Sequence, residues 1–289
     1  MHVIGGPASV DLARKIAKRL GAKYVQAELR IFSDGESKIT IPQKLQGKVI
    51  VVNSTPPPTD SNLIQTFSLI TQAQKHASDI IAIIPYLGYL RQDIEFLPGE
   101  IVTSKVVARL LSACGISKII TMDAHSDIAL RYFDVPIRNV TATPKLASYF
   151  KKLRLDRPLV VAPDFFWSAN ATKFADLLST ESIALNKQRN RKTGAIRIIP
   201  SQKTDLRERD IILVDDMIST GNSIIEAVKY LKKQNPGKIF TCCTHGLLVH
   251  DAQKRILNSG VKKIICTNTI VGKNSIVDVS DVLASALSF

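Results

Sequence analysis

The segment 211–223 combines acidic and hydroxyl side chains in an order that could bind a phosphorylated sugar. An apolar run at 211–214 leads into two acids and then a loop, with the polar candidates Asp215, Asp216, Ser219, Thr220, Gly221, Asn222 and Ser223. A loop that enters a helix N-terminus offers free backbone N–H groups and a positive dipole end to a phosphate. The two carboxylates could accept hydrogen bonds from the vicinal hydroxyls of a ribose. A phosphate beside a diol predicts a site for ribose 5-phosphate.

A solvated turn with an ordinary helix cap is the alternative interpretation of this segment. The combination of a buried strand, two acids and a small hydroxyl-rich loop favours the ligand site, because open α/β sheets bind ligands beyond the carboxyl ends of their strands. The chain contains neither G-x-x-x-x-G-K-[ST] nor G-x-G-x-x-G. This argues against a P-loop kinase and against a dinucleotide-binding protein.

The elements that would position such a site alternate along the chain. Strand-sized apolar runs that are mostly continuous occur at 49–53, 80–85, 118–122, 159–162, 196–199, 211–214, 238–241 and 263–266. Helical patterns occur at 10–20, after Ser9 as N-cap and before Gly21, and at 104–111, 143–153, 168–178, 223–232 and 251–258. Continuous apolar strands are typical of parallel sheets that helices cover on both faces. We therefore predict an α/β fold.

The length and composition favour two domains. A chain of 289 residues with 45% hydrophobic and 22% charged residues has the profile of a soluble globular protein, and exceeds one ordinary core. We place the boundary near residue 143, which gives domains 1–143 and 144–289, each a mainly parallel sheet flanked by helices.

The net charge of +14 indicates an anionic partner. Nucleic acid is disfavoured, because aromatic residues make up only 6% of the chain and the one short basic cluster is at 187–192. A membrane is disfavoured because no run reaches the roughly 18 apolar residues of a membrane span. The four cysteines lack a metal-site spacing and are expected to be reduced core residues. We expect a cytoplasmic protein that binds phosphorylated small molecules.

Four segments in order resemble those of the ribose-phosphate pyrophosphokinase family, which has the type I phosphoribosyltransferase fold. The segment 214–223 resembles the phosphoribosyl-diphosphate binding motif that this family shares with the phosphoribosyltransferases. The segments 86–93 (YLGYLRQD), 96–100 (FLPGE) and 32–36 (FSDGE) resemble the ATP-binding segments of the pyrophosphokinases. This resemblance covers essentially the whole chain and implies an ATP-binding N-terminal domain and a ribose 5-phosphate-binding C-terminal domain.

The resemblance assigns the remaining candidate residues. It gives Arg91, Gln92 and Asp93 to ATP, and gives Phe32, Asp34 and Glu36 to the adenine of a neighbouring subunit's ATP. It makes His125 and Asp164 ligands of the Mg²⁺ that accompanies ATP, which is credible because Mg²⁺ binds few protein groups. It gives Lys187 and Arg189, in the basic segment 186–194, the stabilisation of the transition state. The implied protein is a homo-oligomer, at least a dimer.

Five residues in three segments depart from the family pattern. Phe165, Phe166 and Trp167 follow Asp164 where the family has a glycine-containing turn, Asn222 replaces a common glycine, and Ile94 stands where a basic residue is frequent. Large aromatic residues avoid positive φ. We expect negative φ at Phe166, at least one aromatic ring in the core or a subunit interface, and Asp164 at the end of the 159–162 strand.

The implied reaction is transfer of the β,γ-pyrophosphoryl group of Mg-ATP to the 1-hydroxyl of ribose 5-phosphate, which yields 5-phosphoribosyl 1-diphosphate and AMP. Two alternatives remain. A phosphoribosyltransferase would keep the segment 214–223 but would not need Arg91, Gln92 and Asp93. A non-catalytic regulatory homologue that binds phosphoribosyl ligands is favoured by the unusual aromatic turn and disfavoured by the presence of His125, Lys187 and Arg189.

Overall fold

The computed structural model describes residues 1–189 and 196–287, with residues 187–189 and 196–197 described as backbone only. Two compact units form. The first contains 1–141, 269–271 and the described residues from Val279 onward, and the second contains 142–268 and 272–278. The predicted boundary near 143 thus lies close to the first change of unit. The structure differs from the prediction at the C-terminal end, which returns to the first unit.

The first unit contains a parallel sheet in the order β2-β1-β5-β6-β7-β8. Its core strands are apolar on both faces, because helices cover the sheet, and a separate antiparallel hairpin joins β3 and β4. The strands are β1 (His2–Gly5), β2 (Lys23–Gln26), β3 (Glu28–Ile31), β4 (Ser37–Thr40), β5 (Gly47–Val52), β6 (Ala77–Ile83), β7 (Lys118–Met122) and β8 (Ile137–Val140). The helices between them are α1 (Val10–Arg19), α2 (Thr59–Gln74), α3 (Thr103–Ala113) and α4 (Asp127–Leu130).

The second unit contains a sheet in the order β11-β10-β9-β12-β13-β14-β15. Every pair is parallel except β10 with β11. The strands are β9 (Leu159–Ala162), β10 (Glu181–Arg189), β11 (Ile196–Pro200), β12 (Ile211–Ile218), β13 (Ile239–Gly246), β14 (Val261–Thr267) and β15 (Ser275–Val277). The helices are α5 (Thr143–Lys151), α6 (Ser168–Leu178), α7 (Asn222–Lys232) and α8 (Ala252–Ser259).

The last helix, α9 (Ser280–Ser285), belongs to the first unit and packs against α1. Arg19 Nε donates a hydrogen bond of 2.8 Å to Ser280 Oγ, and Arg138 Nη1 donates one of 3.1 Å to the Ala286 carbonyl. The side chain of Ser54, after β5, donates to the Thr269 carbonyl at 2.6 Å. These bonds explain why the chain end completes the first unit. The predicted α/β class with mainly parallel sheets is confirmed.

Candidate functional site

The acidic pair lies inside β12 and not in the loop after it. The sequence prediction ended this strand at residue 214, but pairing with β13 continues to the pair Ile218 and Gly246, so the ladder includes Asp215. Asp216 is buried, and Asp215 is partly exposed near the carboxyl end of the strand. Strands β9 and β12 are neighbours, which brings their carboxyl ends to the same edge of the sheet.

The loop of residues 219–221 connects β12 to α7 and is held by backbone hydrogen bonds. The Ile218 carbonyl accepts from Leu248 N at 2.9 Å, and the Ser219 carbonyl accepts from Val249 N at 3.2 Å. Gly221 is the N-cap of α7 with φ +77°, and no side chain caps this helix end. The first-turn N–H groups of α7 are therefore available to an anion at the positive end of the helix dipole.

Gly221 is required by space as well as by backbone conformation. A Cβ at this position would lie 2.6 Å from Cδ1 and 2.8 Å from Cγ1 of Ile256, which is fully buried on α8. Asn222, the departure from the family's glycine, uses its Oδ1 to accept a 2.7 Å hydrogen bond from Arg255 Nη2. The side chain of Asn222 thus ties α7 to α8. Ser219 is half-buried, Thr220 is exposed, and Ser223 is half-buried in the first turn of α7.

Negative charge is concentrated at this edge. Although Asp215 keeps some solvent exposure, the burial of its carboxyl group raises its pKa well above the ordinary value, and the neighbouring carboxylates of Asp216 and Asp164 raise that pKa further. Asp215 Oδ1 accepts from Asp216 N at 2.9 Å, and Asp216 Oδ1 accepts from Met217 N at 2.8 Å. Carboxylates that repel one another fit either hydroxyl donors or a cation as partner.

The aromatic turn after β9 leaves Asp164 near the carboxyl edge of the sheet. Phe166 does not have positive φ, as predicted. Trp167 is 9% exposed and packs into the core, which confirms that one ring is buried, whereas Phe165 and Phe166 are 63% and 68% exposed. Asp164 Oδ1 accepts a hydrogen bond of 3.2 Å from Trp167 N, so the acid itself organises the turn. Because β9 and β12 are parallel neighbours, Asp164 and Asp215 lie near the same edge of the sheet, and the charge of Asp164 contributes to the raised pKa of Asp215.

In the first unit, the segments 86–93 and 121–126 are joined by hydrogen bonds. Asp93 Oδ2 accepts from Ser126 Oγ at 2.5 Å, and the Asp93 carbonyl accepts from Tyr132 Oη at 2.7 Å. Ser126 also caps α4, since its Oγ accepts from two N–H groups of that helix. Asp93 thus has a structural partner, while Arg91 and Gln92 are exposed and His125 is half-buried. Ser126 was not among the predicted site residues, although a serine before a short helix is a recognisable cap signal.

The segment 32–36 forms the tip of the β3–β4 hairpin. The tip is closed by bonds from Phe32 N to the Glu36 carbonyl at 2.8 Å and from Glu36 N to Asp34 Oδ1 at 3.1 Å, with Gly35 at φ +92°. The Phe32 ring is 39% exposed and lies 5.1 Å from Arg30 Cζ. An exposed ring at a hairpin tip is accessible to a stacking partner.

Lys187 and Arg189 lie at the end of β10, where that strand leaves β9 and pairs with β11. Their backbone positions oppose Ile198 and Ile196. Their side chains lie outside the described residues, so their predicted catalytic role stays a prediction.

Among the residues that the structure describes, no group of three or more His, Cys, Asp or Glu side chains is arranged to hold a metal. Mg²⁺ characteristically binds one or two carboxylates and completes its shell with water and substrate phosphates, so Asp164 beside Asp215 suits it better than a full protein cage would. The other predicted ligand, His125, belongs to the first unit. None of the described helices is both long enough and apolar enough to cross a membrane.

Comparisons with known proteins agree with this geometry. A family model for the N-terminal domain of ribose phosphate pyrophosphokinase matches residues 1–115, and one for the phosphoribosyl synthetase-associated domain matches residues 175–288. The ribose-phosphate pyrophosphokinase of Methanopyrus kandleri is 36% identical over 289 residues, which cover 99% of this chain and 98% of the relative. The protein of the same name from Sulfolobus acidocaldarius is 35% identical over 289 residues, covering 98% of this chain and 99% of the relative.

A solved structure is similar over the same extent. The crystal structure of phosphoribosylpyrophosphate synthetase from Mycobacterium smegmatis superposes with a TM-score of 0.88 at 27% identity, covering 99% of this chain and 97% of that one. Because the superposition covers nearly all of both chains, the similarity is not limited to one domain that the two proteins share. The chain therefore belongs to the ribose-phosphate pyrophosphokinase family and is an enzyme of that family.

Proposed function

We propose that the chain transfers the β,γ-pyrophosphoryl group of Mg-ATP to the 1-hydroxyl of ribose 5-phosphate. The observation that carries this proposal is the joint between β12 and α7, where two carboxylates precede an uncapped helix N-terminus. The helix end would bind the 5-phosphate, and Asp215 and Asp216 would accept hydrogen bonds from the ribose hydroxyls. The sugar is then held at both ends, so that its 1-hydroxyl is fixed in position.

In the reaction, the 1-hydroxyl oxygen forms a bond to the β-phosphorus, the bond from that phosphorus to the α,β-bridging oxygen breaks, and AMP leaves. The hydroxyl proton is released. Arg91 and Gln92 would contact ATP, with Asp93 held near them by Ser126. Lys187 and Arg189 would neutralise charge that develops on the transferred group.

Mg²⁺ would neutralise phosphate charge on ATP when bound. Asp164 and His125 would be its protein ligands. The fit is supported by the chemistry of the donors, because three carboxylates, Asp164, Asp215 and Asp216, follow or lie near the ends of the neighbouring strands β9 and β12, and Mg²⁺ prefers oxygen ligands. Phe32, Asp34 and Glu36, at an exposed hairpin tip, would serve the ATP of a neighbouring subunit, which makes the active protein a homo-oligomer.

The aromatic turn was the feature that favoured a non-catalytic homologue. Asp164 nevertheless lies two residues beyond the end of β9, and its charge raises the pKa of Asp215. The aromatic turn therefore leaves this acid near the carboxyl edge of the sheet. A phosphoribosyltransferase is disfavoured by matches that extend over the first unit as well as the second.

The test is incubation with ATP, Mg²⁺ and ribose 5-phosphate, followed by ³¹P NMR. We expect AMP and 5-phosphoribosyl 1-diphosphate in equal amounts. The variant Asp215→Asn with Asp216→Asn should weaken ribose 5-phosphate binding by at least tenfold and ATP binding by less than twofold. Asp205→Asn is the matched control, because Asp205 is an exposed acid of the same unit that pairs with Arg207.

Two results would contradict the proposal. Formation of ADP in place of AMP would mean phosphoryl and not pyrophosphoryl transfer. Ribose 5-phosphate binding without turnover in the presence of ATP and Mg²⁺ would favour the regulatory homologue.

A further inference from the structure

A cavity of about 660 Å³ lies in the second unit at the amino ends of β13 and β14. It is lined by the turn that precedes Ile239 and by the turn that precedes Val261, between the C-terminal ends of α7 and α8. The joint between β12 and α7 is at the opposite, carboxyl edge of the same sheet. The eight residues of β12 alone separate the two edges by roughly 26 Å at 3.3 Å per residue. This cavity is therefore distinct from the ribose 5-phosphate site.

Three lysines line the cavity: Lys232, Lys238 and Lys262. All three are exposed, and within the described part of the chain none of them has an ion-pair partner. The rest of the lining contains no carboxylate and includes Pro236, Leu257 and Gly260. Three ammonium groups around one cavity produce a local positive potential that an anion would relieve.

A backbone irregularity distinguishes Lys262 from its neighbour Lys263. A β-bulge in β14 lets Ile239 pair with Val261 and Phe240 with Lys263, so Lys262 has no partner on β13. A bulge re-aims the side chain of the extra residue. Lys263, the next residue, instead donates to Tyr149 Oη at 2.7 Å and lies over that ring. The bulge thus separates two adjacent lysines into different environments.

Gly260 provides space for Lys232. It has φ +110°, and any Cβ at this position would collide with Cε and Nζ of Lys232. The ammonium group therefore lies against the glycine backbone, inside the turn that forms one wall of the cavity. A larger residue at position 260 would displace the lysine.

A favourable interaction with a helix dipole explains the position of only one of the three lysines. Lys232 is in the last turn of α7, where a cation is favoured by the helix dipole. Lys238 and Lys262 lie at the beginnings of strands and outside helices. Two acids lie beside Gly237. Glu208 N donates to the Asn235 carbonyl at 2.9 Å, and the Glu208 carboxylate pairs with Arg157 at 3.6 Å. Asp210 is buried, and its Oδ1 accepts from Lys238 N at 2.7 Å while its Oδ2 accepts from Asp156 N at 3.0 Å. Its carboxylate is already engaged by these backbone groups.

We propose that this cavity is a second anion site, which binds a phosphate group through Lys232, Lys238 and Lys262. The ligand class is a free phosphorylated small molecule or inorganic phosphate. The site does not depend on the proposed function, because it uses none of the residues assigned to catalysis or to substrates.

The test is ¹³C NMR of the full chain after reductive dimethylation of its lysines with ¹³C-formaldehyde, which preserves their positive charge. Single Lys→Arg variants assign the three resonances. Inorganic phosphate is titrated at constant ionic strength, with chloride as the balancing anion. The resonances of Lys232, Lys238 and Lys262 should shift together with one dissociation constant. Those of Lys173, Lys233 and Lys254, which are exposed lysines of the same unit outside the cavity, should not follow it.

A pair of matched variants completes the test. Lys238→Gln with Lys262→Gln should weaken the phosphate-dependent shift at Lys232 at least fivefold. Lys173→Gln with Lys254→Gln makes the same charge change and should alter it less than twofold. Equal shifts of cavity and control lysines, or no phosphate-dependent shift at Lys232, would overturn the proposal.

Discussion

The substitution Gly221→Ala tests how the loop of residues 219–221 is built. Gly221 has φ +77°, a conformation that costs alanine about 1 kcal/mol. The added methyl would also lie 2.6 Å from Cδ1 of Ile256, which is fully buried. Overpacking of this kind costs about 1–3 kcal/mol. The free energy of unfolding should therefore fall by about 2–4 kcal/mol.

The functional effect should accompany the structural one. Relief of the collision requires the loop of residues 219–221 to move away from α8, which displaces the first-turn N–H groups of α7 from the 5-phosphate. We expect the dissociation constant for ribose 5-phosphate to rise at least tenfold, while that for ATP changes less than twofold. Urea unfolding, followed by far-ultraviolet circular dichroism, and calorimetry with each ligand measure the two effects.

Two controls separate the two contributions to stability. Gly47 has φ +66° with no atom within 4 Å of its would-be Cβ, so Gly47→Ala should cost about 1 kcal/mol through backbone strain alone. Ile256→Ala removes both colliding atoms, and in that background Gly221→Ala should also cost only about 1 kcal/mol. If Gly221→Ala in the native background is no more costly than Gly47→Ala, Ile256 yields freely and the steric argument is wrong.

Three further predictions concern charge and assembly. Lys187→Ala should lower kcat at least a hundredfold, about 2.7 kcal/mol, with little change in ATP affinity, and near-normal turnover in steady-state kinetics would remove Lys187 from the mechanism. The raised pKa of Asp215 means that the folded protein binds a proton more tightly than the unfolded chain there, so this group lowers stability as pH rises above its ordinary pKa of 3.8. Asp215→Asn should therefore increase the free energy of unfolding by an amount that grows from about pH 4 upward, and urea titrations that show no growth between pH 4 and pH 8 would contradict the raised pKa. Mixing Phe32→Ala chains with Lys187→Ala chains should restore part of the activity once labelled chains show subunit exchange, whereas exchange without recovery would place Phe32 in its own subunit's site or core.

The bounds of an element were predictable from the sequence where an uninterrupted apolar run or a clear helical pattern marks it. Strands β7 and β9 and helix α6 have the bounds that the apolar runs and helical pattern indicated. Strand β12 was predicted too short, because polarity suggested that the strand ended before Asp215. The ladder continues because backbone pairing with β13 does not depend on the polarity of the side chains.

Helix α2 was not predicted, for an identifiable reason. Its buried face includes Asn62, Gln65 and Thr66 beside its apolar residues, which weakens the apolar stripe. Asn53, in the loop after β5, donates to Thr66 Oγ1 at 2.9 Å, so that this buried hydroxyl has a hydrogen-bond partner. Such a partnership between distant residues cannot be recognised from local periodicity.

Parts of the candidate site depended on the resemblance and not on local physics. The loop of residues 219–221 could be identified from its own composition. The proposed role of Phe32 could not, because an aromatic residue in a short hairpin has no distinctive pattern.

The hydrogen-bond partner of Ser9 was also not predictable from the local sequence. Ser9 occupies the predicted N-cap position of α1, but its Oγ accepts from Ser54 N and not from the helix.

The return of the chain end to the first unit limits how this fold can be cut or recombined. The chain passes between the units after residues 141, 268, 271 and 278. A gene split at one point therefore cannot encode two complete modules, and a fragment ending near residue 143 would lack the helix that covers α1 and the acceptor of the Arg19 hydrogen bond. A chimera that takes its first unit from a relative would therefore need both the N-terminal portion and α9 from that relative. Circular permutation, which joins α9 to the N-terminal portion in one continuous stretch, comes closer to a separable module, but it still leaves residues 269–271 of the first unit within the other portion.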